Sequence, residues 1–257
     1  MLVRVERDQA YADRALDSKL KRSHVDDREK ALATELIYGT LRHRIHIDHL
    51  LEPWLKRPLA NAQVEVSNAL RLGAYQLLHT RIPTHAAVHE TVSLLNGRNR
   101  SASGFVNALL RRVAAALDAD RLPSFDDRDR LSRLAIIGSH PRWLLEELDE
   151  RLGAAELEAF VEANNRPPRL MLRVNPTVTD RERLREALSL RGLKSSIDGA
   201  PASGLIVVDA GAITRTPEFL GGHFSVQDFA AQLVSMLAPV QPADVILDAC
   251  AAPGGKA

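Results

Sequence analysis

Val245-Ile246-Leu247-Asp248-Ala249-Cys250-Ala251-Ala252-Pro253-Gly254-Gly255-Lys256-Ala257 is the stretch that decides how this 257-residue chain is read. Its apolar run, 245–247, reads as a buried parallel strand, with an acidic residue at the carboxyl end and a glycine pair in the loop beyond. In open α/β sheets a nucleotide-like ligand sits at that edge. Two glycine loops can be compared with it. A phosphate-binding G-x-x-x-x-G-K-[ST] loop needs glycine at 250 and Ser or Thr at 257. Cys250 and Ala257 stand there instead, so the tight turn and the magnesium-ligating hydroxyl are both missing. A G-x-G-x-x-G fingerprint is absent. What remains is a loop of small residues whose backbone N–H groups a ligand can approach closely, because almost no side chains intervene. For the glycine pair alone, a bare strand-to-helix turn is the competing reading. The whole stretch predicts a strand and cofactor loop at the carboxyl edge of an α/β sheet, with the remainder of that domain expected beyond Ala257.

Working back from that strand, Ala230, Leu233, Val234 and Leu237 recur at helical spacing, and Pro239 and Pro242 end the helix. Leu170 to Val174 and Leu205 to Val208 are strand-like. Between them, Asp180 to Leu190 reads as a helix capped by Thr179 or Asp180. Pro141 opens a helix through Trp143, Leu144, Leu148 and Leu152; Gly153 ends it, and Ala155 to Ala163 continues as a second. Asp118 to Arg130, polar with Pro123 inside it, predicts a surface connection. The residues before it read as helices. Asp26 and Glu29 have capping-box spacing, and Ala33, Leu36, Ile37, Thr40 and Leu41 mark one face. Val66, Leu70, Gly73, Ala74 and Leu77 mark a second face. After Pro83-Thr84, Val88, Thr91, Val92 and Leu95 give a third, stopped by Asn96-Gly97. Phe105, Leu109, Val113 and Ala116 give a fourth. Five or more helices on short connections make a bundle.

Apolar residues at 45% suffice for a core, and aromatics at 4% leave it to Leu, Ala and Val. No run approaches the roughly 20 apolar residues of a membrane span, and the early charges of Met1 to Asp8 do not suit a secretory signal. The single cysteine excludes an internal disulfide and suits a cytoplasmic protein. The net charge of +1 hides an asymmetry. Residues 1–112 hold 18 Lys+Arg against 12 Asp+Glu, and the rest is acidic. A basic half is a polyanion-binding surface or a set of solvated helix faces. His43, His46 and His49 recur every three residues, and His85 and His89 lie one helical turn apart. No Cys or carboxylate completes a metal set, so no metal is expected.

Several stretches resemble one family in order: residues 28–39 (REKALATELIYG), 70–78 (LRLGAYQLL), 104–112 (GFVNALLRR), 164–168 (NNRPP), 173–176 (RVNP), 224–228 (FSVQD) and the string from Asp248 to Lys256. Together they resemble the RNA cytosine-C5 methyltransferases of the 16S rRNA branch called RsmB, Sun or Fmu. The resemblance implies a multi-domain chain. An all-α NusB-like RNA-binding bundle covers 1–138 and a small α/β RRM-like subdomain covers 139–222. The first helix and strand of a Rossmann-like methyltransferase domain cover 223–257. The RRM-like strand Leu170 to Val174 lacks the aromatic stacking residues of a true base reader.

The cofactor implied is S-adenosylmethionine, held by Cys250, Ala251, Ala252, Pro253, Gly254, Gly255 and Lys256. The partner implied is 16S rRNA, with no membrane, and the full-length protein is expected to be a monomer. Candidate RNA contacts are Arg42, Arg44, Arg111 and Arg112, which are otherwise exposed helix ends favoured by the macrodipole. In this chemistry a cysteine thiolate attacks C6 of cytosine, C5 takes the methyl group, and a base removes the C5 proton. The family's catalytic thiols lie in downstream Pro-Cys and Thr/Ser-Cys segments. No catalytic residue is therefore expected before Ala257, and Cys250 is a loop-packing residue. The rival reading is a non-catalytic NusB-like RNA-binding protein from a truncated gene.

Overall fold

A computed structural model describes residues 1–95, 100–126, 128–208, 213–237, 240, 241, 243–249 and 251. They fall into two compact units, Met1–Arg166 and Pro167–Ala257.

The first unit is helical: α1 (Leu2–Arg7), α2 (Ala12–Lys21), α3 (Asp27–Arg42), α4 (Arg44–Leu51), α5 (Val64–His79), α6 (Thr84–Ser93), α7 (Arg100–Asp118), α8 (Arg130–Ile137), α9 (Arg142–Leu152) and α10 (Ala154–Asn164). The capping box forms at α3. Asp26 accepts from the Glu29 amide at 2.7 Å, and the Glu29 carboxylate accepts from the Asp26 amide at 3.1 Å. Two of the four orphan amide donors of the helix start are thereby satisfied. Helix α5 is the axis, packed against α1, α3, α4, α6 and α7. Val66, Leu70, Gly73, Ala74 and Leu77 are all buried, as their spacing predicts. A Cβ at Gly73 would lie 2.4 Å from Leu110 Cδ1, and one at Gly39 would lie 2.0 Å from the Tyr75 ring. The two glycines therefore set how closely α7 and α3 approach the axis.

Three expectations for this unit need correction. Phe105 is exposed, and the buried stripe of α7 runs through Ala102, Val106, Leu109, Leu110 and Val113. Trp143 is exposed likewise, while Leu145 is fully buried against Leu157 and Val161. In both helices an apolar residue lies one side of the true stripe, and spacing alone allowed the wrong choice. The connection after α7 is not wholly at the surface either. Phe125 is buried, its ring 6.2 Å from that of His46. Helix α8 then begins at Arg130, with Asp129 accepting from the Ser132 amide as its cap.

The second unit contains β1 (Leu170–Val174), α11 (Arg181–Leu190), β2 (Lys194–Ser196), β3 (Gly204–Val208), α12 (Pro217–Leu220), β4 (Phe224–Val226) and α13 (Phe229–Met236). Its sheet is antiparallel in the order β2-β3-β1-β4. Register places Leu172 opposite Leu205 and Val226, and Val174 opposite Phe224. Leu172, Val174, Leu205, Val207 and Phe224 thus line one face with Leu184 and Leu188 of α11. Asp180 caps α11 through the Arg183 amide.

Two expectations fail here. Ala230, Leu233, Val234 and Leu237 of the amphipathic pattern are exposed, and Gln232 is the buried residue of α13. Its amide donates to the carbonyls of Leu172 and Gln227 at 3.3 and 2.9 Å. Hydrogen bonds to the sheet, not the apolar stripe, dock this helix. Residues 245–247 form no strand, and all three side chains are exposed. A parallel strand needs paired edges and covered faces, and no described strand lies beside this run. The Rossmann-like opening is thus not present as a sheet among the described residues. Asn96-Gly97, Pro239 and Pro242 lie outside them.

Candidate nucleic-acid interface

Of the cofactor-loop residues, only Ala251 is described, and it is exposed and in no regular element. Cys250, Ala252, Pro253, Gly254, Gly255 and Lys256 lie outside the described residues.

The four candidate RNA-binding arginines lie on three helices, α3, α4 and α7, each of which packs against α5. Arg42, in the last turn of α3, is half-buried beside a ring cluster. His43 and His79 stack with centroids 4.1 Å apart, Tyr75 lies 5.3 Å from His79, and His46 meets His79 edge-on at 6.1 Å. Burial lowers the pKa of His43, with the Arg42 and His46 charges adding to the effect. Burial likewise lowers His46, and His79 falls to about 4 through burial, His43 and His46. Burial and the Glu35 carboxylate, which accepts the Tyr75 hydroxyl at 2.5 Å, raise Tyr75. These rings form a neutral packed cluster. Among the described residues, no group of three His, Cys, Asp or Glu is placed to hold a metal.

Arg44 serves the bundle itself. It donates to Glu6 at 3.1 Å and lies 3.9 Å from Asp48. Both carboxylates are shared with Arg71, which rises from the middle of α5. Its Nε and Nη2 donate to Asp48 at 2.7 and 2.9 Å, and its Nη1 donates to both Glu6 oxygens at 3.0 and 2.8 Å. Asn68 adds a bond to Glu6 at 2.6 Å. Burial alone would raise the Glu6 carboxyl, but Arg71, Asn68 and Arg44 hold it below its usual range. This network clamps α1 and α4 to the axis.

Arg111 and Arg112 are the exposed pair, adjacent on α7. Arg111 donates to Asn107 at 3.2 Å, and the Arg112 guanidinium lies over the Trp54 ring, 5.8 Å from its centroid. The turn that carries Trp54 also carries Lys56 and Arg57, both exposed and both missed by the sequence reading. The signal was available in Pro53-Trp54-Leu55-Lys56-Arg57-Pro58, a basic turn bracketed by prolines.

The Asn164-Asn165 pair has a structural role. Asn165 donates to the Gly138 carbonyl at 2.7 Å, and Asn164 meets His140 Nε2 at 2.7 Å. His140 Nδ1 reaches the same Gly138 carbonyl at 2.6 Å. The end of α10 is thereby stapled to the α8–α9 turn.

A helical bundle carrying an exposed basic face, followed by a four-stranded split-βαβ sheet, defines a modular chain. Residues 1–115 match the NusB family, and residues 140–214 match the Methyltr_RsmF/B-like, ferredoxin-like domain. The chain has a NusB domain followed by an RsmF/B-like ferredoxin-like domain, and its curated homologues are ribosomal RNA small subunit methyltransferases B. It is 34% identical to the probable ribosomal RNA small subunit methyltransferase B of Bacillus subtilis, over 99% of this chain and 56% of that protein. It is 37% identical to the Pseudomonas putida ribosomal RNA small subunit methyltransferase B, over 90% of this chain and 52% of that one. The Escherichia coli protein of the same name gives 36% identity, over 90% and 52%. The chain thus spans about half the length of the curated relatives it matches. The crystal structure of PH0851 superposes with a TM-score of 0.66 at 16% identity, covering 91% of this chain and 53% of that one, which supports the fold.

Proposed function

We propose that this chain provides the RNA-binding and cofactor-loop portion of a ribosomal RNA small-subunit methyltransferase, which transfers a methyl group from S-adenosylmethionine to cytosine C5 of 16S rRNA. The observation that carries the reading is the 33–38% identity to methyltransferases B over nine-tenths or more of this chain. The ordered motifs, ending in the small-residue loop 250–256, support the cofactor assignment. Division into modules at 1–138, 139–222 and 223–257 belongs to the same proposal. It describes sequence modules, whereas α9 and α10 pack with α8 in the first unit and β4 pairs within the sheet of the second.

The nucleophilic thiol belongs to a segment outside these 257 residues, and Cys250 is not assigned that role. Arg111 and Arg112 contact RNA; Arg44 is engaged by Glu6 and Asp48, and Arg42 is half-buried beside the ring cluster. The test is direct. The purified chain, incubated with unmodified 16S rRNA and labelled S-adenosylmethionine, should bind RNA and transfer no label. Label at cytosine C5 would overturn the assignment of the nucleophile, and failure to bind RNA at low salt would remove the RNA-binding role.

A further inference from the structure

We infer that the Pro53–Pro58 turn and α7 together form a phosphate-tracking RNA surface, in which Lys56, Arg57, Arg111 and Arg112 contact the nucleic-acid backbone and Trp54 positions Arg112. This deepens the RNA-binding reading above and rests on it. The 5.8 Å approach of Arg112 to the Trp54 ring is a cation–π contact, and it brings the turn alongside α7. Lys56 and Arg57 follow Trp54 by two and three residues, on the turn that this contact ties to α7. All four are exposed, and none has a carboxylate within ion-pair distance among the described residues.

Some of the other arginines of the same unit are spent differently, although Arg22, Arg28 and Arg81 are also exposed with no carboxylate within ion-pair distance among the described residues. Arg4, Arg7, Arg44, Arg71, Arg130 and Arg142 are each held by Asp or Glu. Cations left without carboxylates are the ones able to release counterions and take phosphates. Glu52, the turn's own carboxylate, pairs with none of the four among the described residues.

Trp54 packs against the bundle core, and a guanidinium lies over its ring, so it holds Arg112 in place and does not offer a stacking platform. Pro53 and Pro58 lock φ at both ends of the turn, which presents Lys56 and Arg57 on a stiff support. Such a surface follows phosphates and is indifferent to base sequence. An acidic protein is the other anionic occupant. Protein interfaces are anchored by large apolar side chains in their core, and neither Trp54 nor Leu55 is exposed enough to serve.

The experiment uses the full chain and two unrelated fluorescently labelled 16S rRNA hairpins, titrated at several salt concentrations with folding checked by circular dichroism. Lys56→Ala with Arg57→Ala should weaken binding of both hairpins equally. It should also reduce the slope of log affinity against log salt by about two, roughly one per lost phosphate contact. The same loss of charge at Lys19 and Arg22, by α2, should reduce the slope by less. Trp54→Leu should weaken binding in the wild-type background and have no further effect when Arg112 is already Ala, and Trp54→Phe should restore binding. If Lys56→Ala/Arg57→Ala binds like wild type while Arg111→Ala/Arg112→Ala does not, the inference falls and the RNA-binding reading stands. If the wild-type chain shows no salt-dependent binding, both fall. Poly-glutamate competing as well as RNA of equal charge would overturn the choice of RNA.

Discussion

Replacing Arg71 by Met should destabilise the bundle by about 3 kcal/mol at pH 7. Removing one partner of a buried ion pair costs roughly 3–5 kcal/mol, chiefly because the remaining charges are left uncompensated. The low end applies here. The Arg71 side chain is only 4% exposed, but Glu6 and Asp48 each keep 27% of their side-chain surface in water. Arg44 and Asn68 also stay behind to share Glu6. Urea denaturation followed at the helical circular-dichroism band measures the loss.

The pH dependence separates this mechanism from simple loss of packing. Glu6 has its folded pKa below the unfolded one, so its contribution is present above the unfolded value and is lost as pH falls through the folded value. Wild type should therefore lose stability from about pH 5 downward. In the variant Glu6 has lost its main partner and gains from protonation, so the gap between the proteins should narrow on acidification. Neutralising both carboxylates in the Arg71→Met background, with Glu6→Gln and Asp48→Asn, should recover most of the loss. A variant within about 1 kcal/mol of wild type at pH 7, or a gap that widens in acid, would refute the clamp; surface pairs are worth about that much.

Gly39→Ala should destabilise by roughly 1–3 kcal/mol, since its methyl must displace the Tyr75 ring. Gly104→Ala, which meets nothing within 4 Å, should stabilise α7 by up to about 1 kcal/mol in the same denaturation assay. His79, with a pKa of about 4, should remain neutral in an NMR titration through pH 6. The unfolded chain takes up protons first, so stability should fall between about pH 6.5 and pH 4; titration of the folded His79 near 6.5 would contradict the cluster. Amides of residues 243–249 should exchange within seconds and those of α5 slowly, and protection of Val245 to Leu247 would show that a strand forms there after all.

What the sequence made legible were features set by local spacing. The Asp26–Glu29 box, the Pro83 boundary, the α5 stripe, the Asp180 cap and strands β1 and β3 all follow from residues within a turn or two of each other. Features set at a distance escaped. Strands β2 and β4 are three residues each and contain Lys194, Ser195, Ser196 and Ser225, so only their pairing with β3 and β1 reveals them. Arg71 reads as a charge intruding on an apolar face until Glu6 and Asp48 arrive from α1 and α4. Trp54 looks like a core aromatic, and its contact with Arg112 could not be foreseen from either segment. Phe105 and Trp143 were misplaced because burial was decided by what each helix packs against.

The pairing of β1 with β4 bears on how the chain is made. Leu172 and Val174 emerge from the ribosome well before Val226 and Phe224, their eventual neighbours. Until then one side of the central strand carries unpaired N–H and C=O groups, the template on which other chains can add. The helical bundle has by that point been synthesised entire, from contacts mostly close in sequence, and such contacts form quickly. The nascent protein therefore passes through an interval in which a finished helical half carries an unfinished sheet. Synthesis arrested, or protease cleavage made, between Gly204 and Phe224 would leave a product prone to strand-mediated association, while a stop after Val226 would cover the open side of β1 and leave only the three-residue β4 as that edge.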